Sequence, residues 1–195
     1  DGASAVGRVK LQTTVEGGDS EVATISLMIG GPWPFVQEPL DQDPGWTTEG
    51  LWQFGVLYGA GTHGGGAPAA HTGSFVYDYN LAGDYTSNMP ERFLPAGPYD
   101  CTGATDVELR FWKWLGIENG AYDHARVQVS ANGVDWVTLW EHTGPSGTDD
   151  AWEQMILDVS AVADDQMTVW FRWSIGPTDA GVNYPGWSID DLELW

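Results

Sequence analysis

Residues 166 to 175 read QMTVWFRWSI, and the alternation in this stretch decides the fold class. Val169, Phe171 and Trp173 fall on one face of an extended chain, while Trp170 and Arg172 fall on the other. The same period recurs on both sides of it. Strands are predicted at 106–116 (DVELRFWKWLG), 123–130 (DHARVQVS), 136–142 (WVTLWEH), 152–160 (WEQMILDVS) and 186–195 (GWSIDDLELW), separated by turn residues at sandwich-like spacing. Earlier, GWTTEGLWQFG and GSFVYDYNL read as strands on either side of YGAGTHGGGAPAAHTG, which is expected to be a long, flexible loop open to a binding role. One short helical turn within 158–168 is the sole helical candidate. The expectation is an all-β, two-sheet antiparallel jelly-roll sandwich over 32–195. The runs at 7–15 and 21–30 form an N-terminal hairpin or arm over 1–31, either part of the domain or the tail of an upstream module.

Composition narrows the partners. Lys and Arg total 7 against 28 Asp and Glu, a formal net charge of -21, which repels nucleic acid and anionic membranes and excludes both as partners. No apolar run is long enough to cross a bilayer, and the first ten residues lack the pattern of a signal peptide, so a mature, soluble chain or fragment is expected. A single Cys allows no internal disulfide. No nucleophile elbow, phosphate loop, HExxH or paired CxxC occurs, and the abundant acids sit in no catalytic pattern, so a noncatalytic protein is expected.

Twelve Trp are the compositional oddity. By the strand period, Arg110, Trp112 and Trp114 share the polar face of 106–116, Arg126 that of 123–130, and Trp170 and Arg172 that of 166–175. Indoles beside guanidinium groups suit the stacking and hydrogen bonding of an extended polysaccharide, an acidic one if the three Arg converge. The alternative is that these Trp form a second small core beneath the long loops. SANGVDW, 130–136, reads as a hairpin whose Asn132-Gly133 supplies positive φ.

In GWSIDDLELW the apolar phase slips, because Ile189 shares a face with Asp191 while Leu192 and Leu194 share one with Asp190. One extra residue at a β-bulge restores the phase and places both carboxylates at the kink, where they could face one cation. A solvated, acidic edge strand is the other reading. Calcium takes oxygen ligands gathered from loops, and the candidates are Glu38, the turn from His71 to Gly73, Asp84, Asp123, Asp190 and Asp191.

DPGWTTEGLWQFG, AHTGSFVYDYNLAGDY, YDHARVQVSANGVDWVTLW and GWSIDDLELW together resemble the MAM-like, concanavalin-like jelly-roll domains appended to secreted bacterial proteases and polysaccharide-degrading enzymes. The resemblance covers residues 33–195. It implies an extracellular accessory module with a structural cation joining an early acidic residue, here Glu38, to the closing strand at Asp191, with carbonyls from His71 to Gly73. The expected function is polysaccharide binding. Self-association through the N-terminal arm, in a structural or adhesive protein, and a protease-associated role are the alternatives.

Overall fold

The computed structural model describes residues 33–195; the N-terminal hairpin predicted over 7–30 lies outside them. Eleven strands occur among the described residues, at Val36–Glu38 (β1), Trp52–Gly55 (β2), Val76–Tyr79 (β3), Arg92–Tyr99 (β4), Glu108–Ile117 (β5), Ala125–Ser130 (β6), Val137–Glu141 (β7), Gly147–Thr148 (β8), Glu153–Asp158 (β9), Val169–Ile175 (β10) and Gly186–Leu194 (β11). The one helix, α1, is a single turn at Ser160–Ala163, where a short turn is expected.

The strands form two antiparallel sheets. The larger runs β2-β3-β11-β5-β8, with β1 also on β11 and β9 also on β5; the smaller runs β4-β10-β6-β7. The all-β sandwich is therefore as the alternation predicts. Leu109, Phe111, Ile189, Leu192 and Leu194 of the large sheet and Val127, Val129, Val169, Phe171 and Trp173 of the small one are fully buried between the layers. Two of the core Trp carry their indoles into aromatic packing, Trp173 edge-on to Phe111 and Trp187 edge-on to Trp140.

Three strands are absent from the sequence reading, the short β1 and β8 and the longer β4. β4, RFLPAGPY, holds two prolines and a glycine, which argue against a central strand. It forms because it is an edge: it pairs only with β10, and the register slips there between Val169 and Phe171.

The closing strand has the bulge its phase requires. Asp190 pairs with Trp112 and Glu193 with Arg110, so three steps on β11 match two on β5. Asp191 takes the strain, with φ of 46°, a left-handed conformation that Asp tolerates better than most residues.

Candidate functional site

The six residues expected on one sugar-binding face are divided between the two outer faces of the sandwich, which corrects that expectation. Arg110, Trp112 and Trp114 stand on β5 in the large sheet, whereas Arg126, Trp170 and Arg172 stand on β6 and β10 in the small one. The strand period gives which residues share a face of their own strand, but not which sheet that strand joins.

On the large sheet, none of the three is a free platform. Trp114 is 9% exposed and packs with Leu57, Ala67 and Val76, with Trp152 alongside, as a second core beneath the 56–73 loop. Trp112 has its ring stacked on His71, centroids 3.7 Å apart and planes within 14°. Arg110 is held by Glu108 at 2.6 Å and lies 4.1 Å over the Trp195 ring. The 56–73 loop itself is tied down rather than free. Gly59 and Gly66 bond back to Ala67 and Ala60, Thr148 Oγ1 donates to the His63 carbonyl, and Trp152 Nε1 donates to that of Ala69. Its many glycines serve turns within a lid.

Beneath that lid lies Asp78, 6% exposed, with Oδ1 accepting from Ser188 Oγ at 2.5 Å. Burial away from any described cation raises its pKa to about 7.

The Asp190–Asp191 bulge closes on the His71–Thr72 turn. Asp190, fully buried, accepts the backbone N–H of His71 at 2.9 Å and of Thr72 at 3.2 Å on Oδ2, and that of Asp191 at 2.9 Å on Oδ1. Asp191 Oδ2 lies 2.6 Å from His71 Nδ1, and its Oδ1 accepts from Thr72 Oγ1 at 2.7 Å. Burial, with the Asp191 charge beside it, raises the Asp190 pKa to about 7 against the pull of those N–H donors. Glu38, Trp112 and Gln154 border the same cleft of about 330 Å³, and burial raises the Glu38 pKa as well. Gly73 follows with φ of 57°, and a Cβ there would collide with the Asp41 carboxylate.

The predicted ion ligands therefore occupy three places rather than one. Glu38, His71, Gly73, Asp190 and Asp191 gather around the bulge. Asp84 is apart from them, accepting from the Thr62 N–H at 2.7 Å and the Thr62 hydroxyl at 2.5 Å. Asp123 joins Glu118 and Asp179, which sequence reading missed because they come from separate loops. Among the described residues these three are the carboxylates whose oxygens come within 4.8 Å of one another, a group that could hold a metal ion. Asp123 is 1% exposed and accepts from the Tyr85 hydroxyl at 2.5 Å and the Asp179 N–H at 2.9 Å. Its neighbours bind the same loop, Glu118 through the Val182 N–H and Asp179 through the Gly181 N–H. An all-oxygen donor set of this kind suits a hard divalent cation.

The outer face of the small sheet is different in kind. There a groove of about 250 Å³ is lined by Glu49, Phe93, Pro95, Gly133, Trp136, Trp170 and Arg172. The Arg172 guanidinium is sandwiched, 4.0 Å from the Phe93 ring centroid and 4.0 Å from that of Trp136. Its Nε donates to Gln128 Oε1 at 2.7 Å, which fixes the plane of the group. The Asn132-Gly133 hairpin forms one wall. Only Gly133 has positive φ there, 71°; Asn132 acts through its side chain, accepting from the Val134 and Asp135 N–H groups. A Cβ at Gly133 would stand 3.5 Å from the Trp170 indole nitrogen, so the turn rests against that ring. Arg126 shares the face but is saturated by Glu91 and Glu141, each at 2.8 Å. Phe93, Trp136 and Glu49 were not singled out as site residues: Phe93 lies on β4, which was not predicted, while Trp136 and Glu49 lie in predicted strands (136–142 and GWTTEGLWQFG) whose faces were not assigned.

No protein-family model matches the chain, and no curated protein matches it. Solved structures do resemble it in fold. The K2 cleaved adhesin domain of Lys-gingipain aligns with 82% of this chain and 98% of its own at a TM-score of 0.50 and 18% identity. A structure of promiscuous carbohydrate-binding modules from the β-sandwich superfamily aligns with 91% and 68% respectively, at a TM-score of 0.51 and 14% identity. At such identities the likeness is one of fold. The chain shares the β-sandwich architecture of adhesin and carbohydrate-binding domains.

Proposed function

We propose that this chain is a noncatalytic, extracellular accessory module that binds polysaccharide, built on the MAM-like jelly-roll plan that its sequence resembles. The observation that carries the reading is the groove on the small sheet, where Trp136, Trp170 and Phe93 surround an oriented guanidinium. Indole faces take the apolar face of a pyranose ring, while a fixed donor selects its hydroxyl pattern. An open groove also admits a chain without demanding its end. The fold likeness to a carbohydrate-binding module and to an adhesin domain supports the same reading. Of the residues singled out in the sequence, Trp170 and Arg172 remain in this proposed site, and Trp136 takes the place given to Trp112 and Trp114.

Affinity electrophoresis in gels containing soluble polysaccharides tests this. The native protein is expected to be retarded by at least one polysaccharide, and Trp136→Ala and Trp170→Ala each to weaken retention about tenfold, equivalent to ~1.4 kcal/mol. Retention that survives both changes would remove the groove from the binding function.

A structural calcium ion at Glu118, Asp123 and Asp179 completes the proposal, for which the convergence of three carboxylates is the support. Calcium at 100 times its Kd is expected to stabilise the fold by about 2.7 kcal/mol, seen as a higher melting temperature that EDTA reverses. In Asp179→Asn that calcium response should be largely lost. An unchanged response would place the ion elsewhere, with the Asp190–Asp191 bulge the next candidate.

A further inference from the structure

The charge balance within the groove separates two classes of glycan. Arg110, Lys113 and Arg126 each hold a carboxylate within 2.8 Å. Arg172 has no carboxylate within salt-bridge distance among the described residues; its one hydrogen bond, from Nε, goes to the neutral Gln128. Its Nη1 and Nη2 are bonded to no described residue and are not among the buried unsatisfied nitrogens, so both are solvent-accessible, on a residue that lines the groove. The indole nitrogens of Trp136 and Trp170 are in the same condition.

These donors have one positioned acceptor beside them. Glu49 is pinned to Phe93 in both directions: its backbone N–H donates to the Phe93 carbonyl at 3.2 Å, and its Oε2 accepts the Phe93 N–H at 3.2 Å. Its second carboxylate oxygen takes no hydrogen bond from the described residues, and Glu49 lines the groove. Glu49 and Glu91 both lie near enough to act on the Arg172 charge. The groove is thus not a cationic patch. It offers guanidinium and indole N–H donors next to a carboxylate acceptor, on a chain whose net charge is -21.

We propose that the groove takes a neutral glycan, each recognised sugar bridging Arg172 and Glu49 through its hydroxyls, and does not select uronic acid polymers. This rests on the polysaccharide-binding reading above. A hydroxyl both donates and accepts, so vicinal hydroxyls satisfy the two groups at once. A uronate gains the guanidinium but sets its carboxylate against Glu49, Glu91 and the field of the whole protein. The condition under which an acidic polysaccharide would be favoured, convergence of three Arg, is not met, because Arg110 is on the other sheet and Arg126 is saturated.

Titration calorimetry with hexasaccharides discriminates the classes. Cello-, xylo-, laminari- and mannohexaose represent neutral chains; galacturonan and mannuronan hexamers represent acidic ones. At least one neutral hexamer is expected to bind about tenfold more tightly than either uronate, with an affinity that changes less than about twofold between roughly 20 and 300 mM NaCl. Arg172→Lys, which keeps the charge but loses the planar fork, and Glu49→Gln, which keeps the shape but loses the charge, should each weaken the neutral ligand about tenfold or more while the domain stays folded. Tighter, salt-sensitive binding of a uronate hexamer, made tighter still by Glu49→Gln, would overturn the neutral class while leaving polysaccharide binding intact. Binding of neither class would overturn both.

Discussion

Replacing Trp114 with alanine is expected to cost about 3–5 kcal/mol of folding stability and to leave glycan binding unchanged. The indole is one of the largest groups in the second core, packed against Leu57, Ala67 and Val76 with Trp152 edge-on at 6.2 Å between ring centroids. Removing it forfeits the burial of the ring and opens a void that the lid can fill only by shifting. The lid has little freedom to do so. It is held by the bonds from Thr148 to His63 and from Trp152 to Ala69, and its His71–Thr72 end is held by the Asp190–Asp191 bulge. For a domain of this size the loss corresponds to a melting temperature lowered by roughly 10 °C. Thermal denaturation followed by the tryptophan signal, beside affinity electrophoresis of the same variant, measures both quantities. A variant that melts like the native protein but no longer binds would make Trp114 a sugar platform and return the site to the large sheet.

That contrast shows what the sequence could and could not reveal. The slip of phase in GWSIDDLELW was sufficient to locate the bulge, since a one-residue mismatch in a period of two has few other remedies. The Asp pair's partner was legible only in part. The turn at His71–Thr72 was foreseen as its neighbour, but not that hydrogen bonds from two backbone N–H groups, an imidazole and a hydroxyl would hold the pair to it. Local periodicity likewise identified Trp112, Trp114 and Trp170 as residues of polar strand faces, yet the sheet to which each strand belongs depends on pairings between residues far apart in sequence. Trp114 and Asp78 are buried for the same reason: the glycine-rich segment 56–73, earlier in the chain, lies over both. Glu118 and Asp179 could not be joined to Asp123 without the loop crossing that Tyr85 and the Asp179 N–H secure.

Asp78 makes stability depend on pH in a direction opposite to that of most paired carboxylates. In the unfolded chain it titrates near 4, as a free Asp does; in the fold its pKa is about 7. Between those values the folded state keeps a proton that the unfolded chain has released. Stability attributable to this group is therefore fully present below about pH 4 and is lost progressively as pH rises through 7. The upper bound of the loss is about 4 kcal/mol by pH 8, and relaxation of the lid or entry of water would reduce it. Self-repulsion in a chain of net charge -21 acts in the same direction, so the native protein should melt highest under mildly acidic conditions. Asp78→Asn separates the two effects. The amide keeps an acceptor for Ser188 and cannot ionise, so the variant should melt close to the native protein at pH 4 and increasingly above it as pH rises, by several degrees at pH 8. Melting curves of both proteins from pH 4 to 8 give the result directly. Parallel pH profiles would mean that Asp78 ionises in the fold as readily as in the unfolded chain, and that the lid does not exclude water from it.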